Sequence, residues 1–130
     1  MGSFRVTLKL EGKKEIDVLF SSAEFSRKTD AKGKPVTRVF GGRITIKVES
    51  VEDTTIIEAM LNNQFKPING ILIFKKFDED SILKKFIFNN SYIVFYKEVF
   101  NPEKSKPMSI IVTFSSEQIT IGEAFLDNQW

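Results

Sequence analysis

GGRITIKVES (residues 41–50), then VED (51–53) and TTIIEAMLNN (54–63), form a stretch whose hydrophobic period changes from two to roughly three and a half. In its first half Ile44, Ile46 and Val48 alternate with Arg43, Thr45, Lys47 and Glu49, which predicts a half-buried strand. In its second half Ile56, Ile57, Met60 and Leu61 share one face at helical spacing, while Glu58, Asn62 and Asn63 point away. Either Asp53 caps the first turn, or Thr55 and Glu58 form a capping box. A helix of about ten residues is marginal alone in water, so it must dock. Burying its four aliphatic side chains at roughly 1.5 to 3 kcal/mol each would hold it on a sheet. The stretch thus predicts a β-structure carrying one packed helix.

Outward from it, the rest of the chain reads as strands and turns. Phe4, Val6, Leu8 and Leu10 alternate with Arg5, Thr7 and Lys9. Ile16, Val18 and Phe20 fall on one face of a second run, and the pattern slips by one at Ser21 and Ser22, which suggests a bulge before Ala23 and Phe25. Residues 26–38, SRKTDAKGKPVTR, are polar and basic and predict a long loop or projecting hairpin. Strands follow over 71–77, 82–88, 92–100, 110–114 and 119–121, with a turn expected at Asn89 and Asn90. Two of these runs are apolar on both faces: Ile71 and Ile73 against Leu72 and Phe74, and Tyr92, Val94 and Tyr96 against Ile93 and Phe95. The surplus must meet the helix or another subunit. Seven or eight short strands indicate a mainly β fold, a small antiparallel barrel or sandwich with one α-helix at its side.

Composition narrows the chemistry. At 130 residues with 13 Phe and 42% hydrophobic residues, one domain with a single core is expected, spanning 1–130. Cysteine and histidine are both absent, which removes thiolate chemistry and most zinc and acid–base sites. Ser105 beside Lys106 reads as a solvated loop, and Asp78, Glu79 and Asp80 as an acidic turn without the ligand spacing of a calcium loop. Asp17, Glu49 and Glu58 have no motif around them. No catalytic residue, metal or cofactor is expected. The start MGSFRVTLKLEG has no apolar signal region, so synthesis in the cytoplasm without membrane insertion is expected. Charges nearly balance, 19 basic against 17 acidic. Arg27, Lys28, Lys32, Lys34 and Arg38, diluted by Asp30, therefore form a local basic patch that favours a solvated loop or a protein contact over nucleic acid.

The order of these features carries a resemblance. SFRVTLKLEGK, the loop TDAKGKP, GGRITIKVES, DTTIIEAMLNN, GILIFKK, FIFNNSYIVFYKEVF, PMSIIVTFSSEQITIG and DNQW together resemble, from end to end, the Hcp or TssD family, the tube protein of the type VI secretion system. The resemblance implies a barrel with a side-packed helix that assembles as a hexameric ring. Rings stack into a hollow tube driven outward by a contractile sheath, with a VgrG-like spike protein at the tip and effectors in the lumen. It implies no active site, and export through the apparatus without a signal peptide. The family's extended loop falls on residues 26–38, so Arg27, Lys28, Asp30, Lys32, Lys34 and Arg38 are the expected ring-stacking residues. Ile56, Ile57, Met60 and Leu61 are expected in helix packing or a subunit contact. Ala59 departs from the aromatic often found there in the family, and members often continue past Trp130. Two other readings compete: a phage-tail or other contractile injection tube, and a monomeric ligand-binding barrel.

Overall fold

A computed structural model describes residues 4–50, 52–76 and 81–130. The acidic residues 78–80 lie outside them. The order of elements is β1 (Phe4–Leu10), β2 (Ile16–Val18), β3 (Phe20–Ala23), β4 (Arg43–Glu49), α1 (Thr55–Leu61), β5 (Ile68–Lys76), β6 (Ile82–Phe100), β7 (Met108–Ile121) and β8 (Ala124–Asp127). All strand pairs are antiparallel, in the order β2-β1-β5-β6-β7-β4-β3, with β8 added on β7.

The two edges of this sheet are consecutive in the chain, and that brings the barrel close to closure. β2 pairs with β1 through Val6 and Val18, and β3 pairs with β4 through Phe20 and Lys47. Between them the Leu19 amide donates to the Lys47 carbonyl at 2.7 Å. The pattern slip expected as a bulge is therefore a strand switch, in which the chain leaves one edge and joins the other. The switch reverses the side-chain phase. Ser21 and Ala23 stand opposite Ile46 and Ile44, whereas Phe20, expected on the inner face with Ile16 and Val18, is 56% exposed beside Lys47.

A second correction concerns β6. Its 19 residues run through the segment expected to turn at Asn89 and Asn90. Asn90 does adopt a left-handed conformation, with φ of 53°. It forms a bulge against β5, where pairing shifts between Ile68–Ser91 and Gly70–Phe88. The tolerance of asparagine for positive φ serves a bulge as well as a turn, and local periodicity does not separate them. Asn69 Oδ1 accepts the Asn90 amide at 2.8 Å, so the extra residue is not left unpaired. Similarly, the runs 110–114 and 119–121 are one strand, β7. The long bent β6 and β7 form the most extended pairing in the sheet, from Phe86–Ile121 to Phe100–Met108.

The interior is filled by side chains. Leu8, Ile44, Ile46, Leu72, Phe88, Val112, Phe114 and Ile119 are buried, and the rings of Phe88 and Phe114 meet at 5.0 Å. A lipocalin-like central cavity is thus occupied by the core itself. Ser91 and Ser116 are buried among these residues and share a 2.7 Å hydroxyl hydrogen bond, which offsets the cost of burying either alone. Gly70, paired across the sheet with Phe88, leaves room for its ring: a Cβ there would lie 2.4 Å from Phe88 Cζ. Gly70→Ala should therefore destabilise by about 1–3 kcal/mol through overpacking, read as a lower urea midpoint at fixed protein concentration.

α1 packs against the barrel wall. Ile56 is buried with Leu8, Leu10, Val48 and Ile110 around a cavity of about 290 Å³. Ala59 and Met60 face Ser91, Tyr92 and Ile93 of β6 across a crevice. The helix is seven residues long. Its packed face is narrower than expected: Ile57 and Met60 are half-buried, and Leu61, expected on that face, is 59% exposed. A helix this short turns its last residue away before the sheet reaches it. The N-cap falls on Thr54, whose side chain makes no capping hydrogen bond, so neither capping alternative holds as expected; Asp53, one residue earlier, supports the first turn through Oδ1, which accepts the Thr55 amide at 2.9 Å and also the Thr55 hydroxyl. Both bonds hold the Asp53 carboxyl below its usual pKa. The Glu58 carboxylate instead accepts from the Thr54 hydroxyl. No described helix is long and apolar enough to cross a membrane.

On the outer face Glu15 accepts hydrogen bonds from the Thr7 hydroxyl at 2.7 Å and from Lys75 Nζ at 3.1 Å. The Thr7 bond first, then the Lys75 bond, lowers its pKa. Because the folded value lies below the unfolded one, this contribution is present above the ordinary carboxylate range and is lost as pH falls through the folded value. Glu15→Gln should thus lower the melting temperature at neutral pH, and the difference should vanish in acid well below about pH 4.

Candidate assembly surface

Between β3 and β4 the chain leaves the barrel as an arm. Ser26 and Phe40 exchange backbone hydrogen bonds of 2.9 and 2.7 Å, and Thr29 bridges Pro35 further out. At the tip Asp30 Oδ1 accepts the amides of Lys32 at 2.9 Å and Lys34 at 3.0 Å, and Gly33 supplies a positive φ of 86°. Asp30 therefore shapes the turn, where the sequence had suggested only a dilution of charge. Arg27, Lys28, Lys32 and Lys34 are exposed on the arm, and Arg38, also exposed, reaches back to the Asp127 carbonyl at 2.8 Å. The six residues singled out in 26–38 are thus brought together on one projection.

The arm also carries apolar residues. Phe25 and Phe40 lie outside the named strands and are exposed, as is Val36 at 60%. Each arm residue with an apolar side chain has few neighbours to cover it, because a two-stranded projection has only one layer. The surface therefore combines cations at the tip with apolar groups along the stem. Sequence periodicity could not reveal this, since an apolar residue at a turn looks like one at a strand end.

Helix residues fall in two places. Ile56 is spent on the core, with Ile57 and Met60 partly covered by the barrel. Leu61 at the last helical position and Phe65 beyond it, the latter 90% exposed, are uncovered, and Tyr92 Oη donates to the Phe65 carbonyl at 3.4 Å. Val94 and Phe95 on β6 are likewise exposed, which agrees with the two-faced apolar pattern of that strand. Ser105 and Lys106 form no catalytic pair. Lys106 Nζ lies 3.7 Å from Glu49 Oε1, and the surrounding turn is held by Asn101. Among the described residues no cluster of His, Cys, Asp or Glu could hold a metal ion.

A barrel brought close to closure by a strand switch, one short helix packed against it and a long arm between β3 and β4 belong to a chain that one family model matches over nearly its whole length. The model of the hemolysin coregulated protein Hcp (TssD) covers residues 2–130. The chain belongs to the Hcp (TssD) family. It is thus a tube protein of the type VI secretion system, a structural family. Hcp1 from Flavobacterium johnsoniae superposes with a TM-score of 0.90 at 35% sequence identity, over 95% of this chain and 99% of its own. Hcp1 from Salmonella typhimurium shares the fold at a TM-score of 0.73 and 14% identity, over 90% of this chain and 84% of its own. A chain of the anti-feeding prophage baseplate also shares it, at a TM-score of 0.59 and 6% identity over 93% of each chain. No curated protein matches the sequence. For the Hcp chain the whole-length family match favours the secretion-type tube over the phage-type alternative.

Proposed function

We propose that six copies of this chain close into a ring, that rings stack into a hollow tube, and that the arm carries the contact between rings. Arg27, Lys28, Lys32, Lys34 and Arg38 reach toward carboxylates of the next ring, and Asp30 holds the tip in shape. Ile57, Met60 and Leu61 of α1, with exposed Phe65, form part of the contact between neighbouring subunits, and Ile56 anchors the helix that presents them. The tube is expelled by a contractile sheath, carries a VgrG-like spike at its tip and holds effectors in its lumen. The chain acts through subunit contacts and catalyses nothing.

The observation that carries this reading is the arm itself. A monomeric barrel gains nothing from a projection with a charged tip and an uncovered apolar stem, whereas a partner surface offsets both costs. Membership of the Hcp family and the exposed apolar residues on β6 support the same assembly. Export is the functional test. In cells producing the full apparatus, the chain should appear in the medium, and deleting the sheath should abolish its appearance. Equal release from sheath-deficient and intact cells would overturn the proposal.

A further inference from the structure

The arm's own hydrogen bonds run from the Ser26–Phe40 pair at its root through Val36–Lys28 to the Asp30–Lys34 tip, but its residues are almost all exposed, and an isolated two-stranded projection is marginally stable. Something at the root must fix its direction. The structure supplies a tie from an unexpected place, the segment 126–130 at and beyond the end of β8.

Three contacts make it. Asn128 Nδ2 donates to the Gly41 carbonyl at 3.1 Å and to the Ser116 carbonyl at 3.0 Å, joining the arm root to β7. Arg38 Nη2 donates to the Asp127 carbonyl at 2.8 Å, so the returning strand of the arm is tied at a second point. The Phe25 ring, on the outgoing strand, lies over Gly41 together with Leu126: a Cβ on Gly41 would fall 2.3 Å from Phe25 Cδ1 and 3.1 Å from Leu126 Cδ2. The glycine pair is the socket. Gly42 has a φ of +108°, and a Cβ there would fall 2.7 Å from both Asn128 Nδ2 and the Ser116 carbonyl oxygen. The segment is itself fixed. The Asn128 amide donates to the Glu117 carbonyl, the Trp130 amide donates to Glu117 Oε2 at 2.8 Å, and the Trp130 ring stacks on Tyr92 at 5.8 Å.

We propose that residues 126–130 act as a clamp that sets the direction of the arm, with Asn128 as its positioning residue. The clamp rests on the reading of the arm as the ring-stacking element, and it gives that element a defined aim. Both strands of the arm meet the clamp, so its release frees the whole projection, while the barrel, which Asn128 meets only at the Ser116 backbone carbonyl, stays folded. Such local opening is a sub-global event, separate from unfolding.

The test uses the full chain and trypsin. Arg27, Lys28 and Lys32 are cleavable sites on the arm, whereas Lys34 precedes Pro35 and resists. Asn128→Ala removes the donor, and Asn128→Asp places a carboxylate against two carbonyl oxygens. Arg38→Ala cuts the second tie without touching the segment 126–130. Each should speed cleavage at 27, 28 and 32 by roughly tenfold, the population change expected from losing one or two hydrogen bonds. Melting temperature and ring mass should stay near wild type. Unchanged arm cleavage in all three variants would overturn the clamp, as would faster cleavage accompanied by an equal fall in global stability. If the arm is cleaved faster and tubes still form normally, the clamp stands and the stacking role of the arm falls.

Discussion

With Lys32→Glu and Lys34→Glu combined, rings should persist and tubes should disappear. The arm tip carries five cations and one carboxylate, Asp30, for a formal charge of +4. The double reversal leaves three cations and three carboxylates, for a charge of zero. A single exposed ion pair contributes only about 0–1 kcal/mol, and physiological salt screens it over about 8 Å. One arm would therefore change little. A stacked ring engages six arms at once, and twelve attractive contacts turned repulsive add to on the order of 10 kcal/mol between rings. Contacts within a ring do not use these side chains in the proposed assembly, and the turn survives because Asp30 binds the backbone amides of residues 32 and 34. Sedimentation with negative-stain microscopy measures the outcome. Tubes of wild-type length from the double variant would show that the stacking contact lies elsewhere.

The second large effect is on stability. Phe88→Ala should cost about 3–5 kcal/mol, a sizeable part of the roughly 5–15 kcal/mol that holds a domain together. Phe88 is 0% exposed, meets Phe114 in a tilted ring contact and fills the space that Gly70 leaves open. No neighbouring side chain can move into its place, since the ring sits where two strands are already close. Phe65→Ala removes an equally large side chain that is 90% exposed on the single chain and, at a concentration where the chain is monomeric, should stay within about 0.5 kcal/mol. Urea titrations of both variants at one protein concentration check the contrast, because assembly makes apparent stability concentration-dependent. Equal midpoints would mean that the barrel interior is not the core described.

The contrast also shows where sequence reading succeeds. Ile44, Ile46 and Val48 announced β4 because strict alternation has one physical cause, a sheet with one dry face. The Phe4–Leu10 strand was legible as a strand, although Phe4, expected on the dry face, is 62% exposed and Thr7, expected on the wet face, is buried; the docked helix was legible from its own period. Residues 26–38 declared an excursion because Gly33, Pro35 and a run of cations fit no buried surface. What escaped depends on partners distant in the chain. The switch at Leu19 exists because β1 and β4 offer two separate edges, and no local pattern encodes a neighbour. Asn90 carried the right conformational signal, but whether it turns a chain or bulges a strand is decided by Asn69 and β5.

The candidate site divides in the same way. The cations of the arm were readable as a group, since their function is to be exposed. Its exposed Phe25, Val36 and Phe40 were not, because an apolar residue is read as core until the structure shows nothing above it. Leu61 followed the helical period but stands at the last position of a short helix, where the barrel no longer covers it. The Gly41–Gly42 pair was visible as punctuation. Its role as a socket for Asn128, 87 residues away in sequence from Gly41, was not.

The mass of the purified full chain, measured by light scattering and paired with negative-stain microscopy, tests the ring most directly. The proposed assembly gives a species six times the 14.9 kDa of the chain and images of closed rings with an open centre. A chain that stays strictly monomeric at high concentration and shows no rings would contradict it.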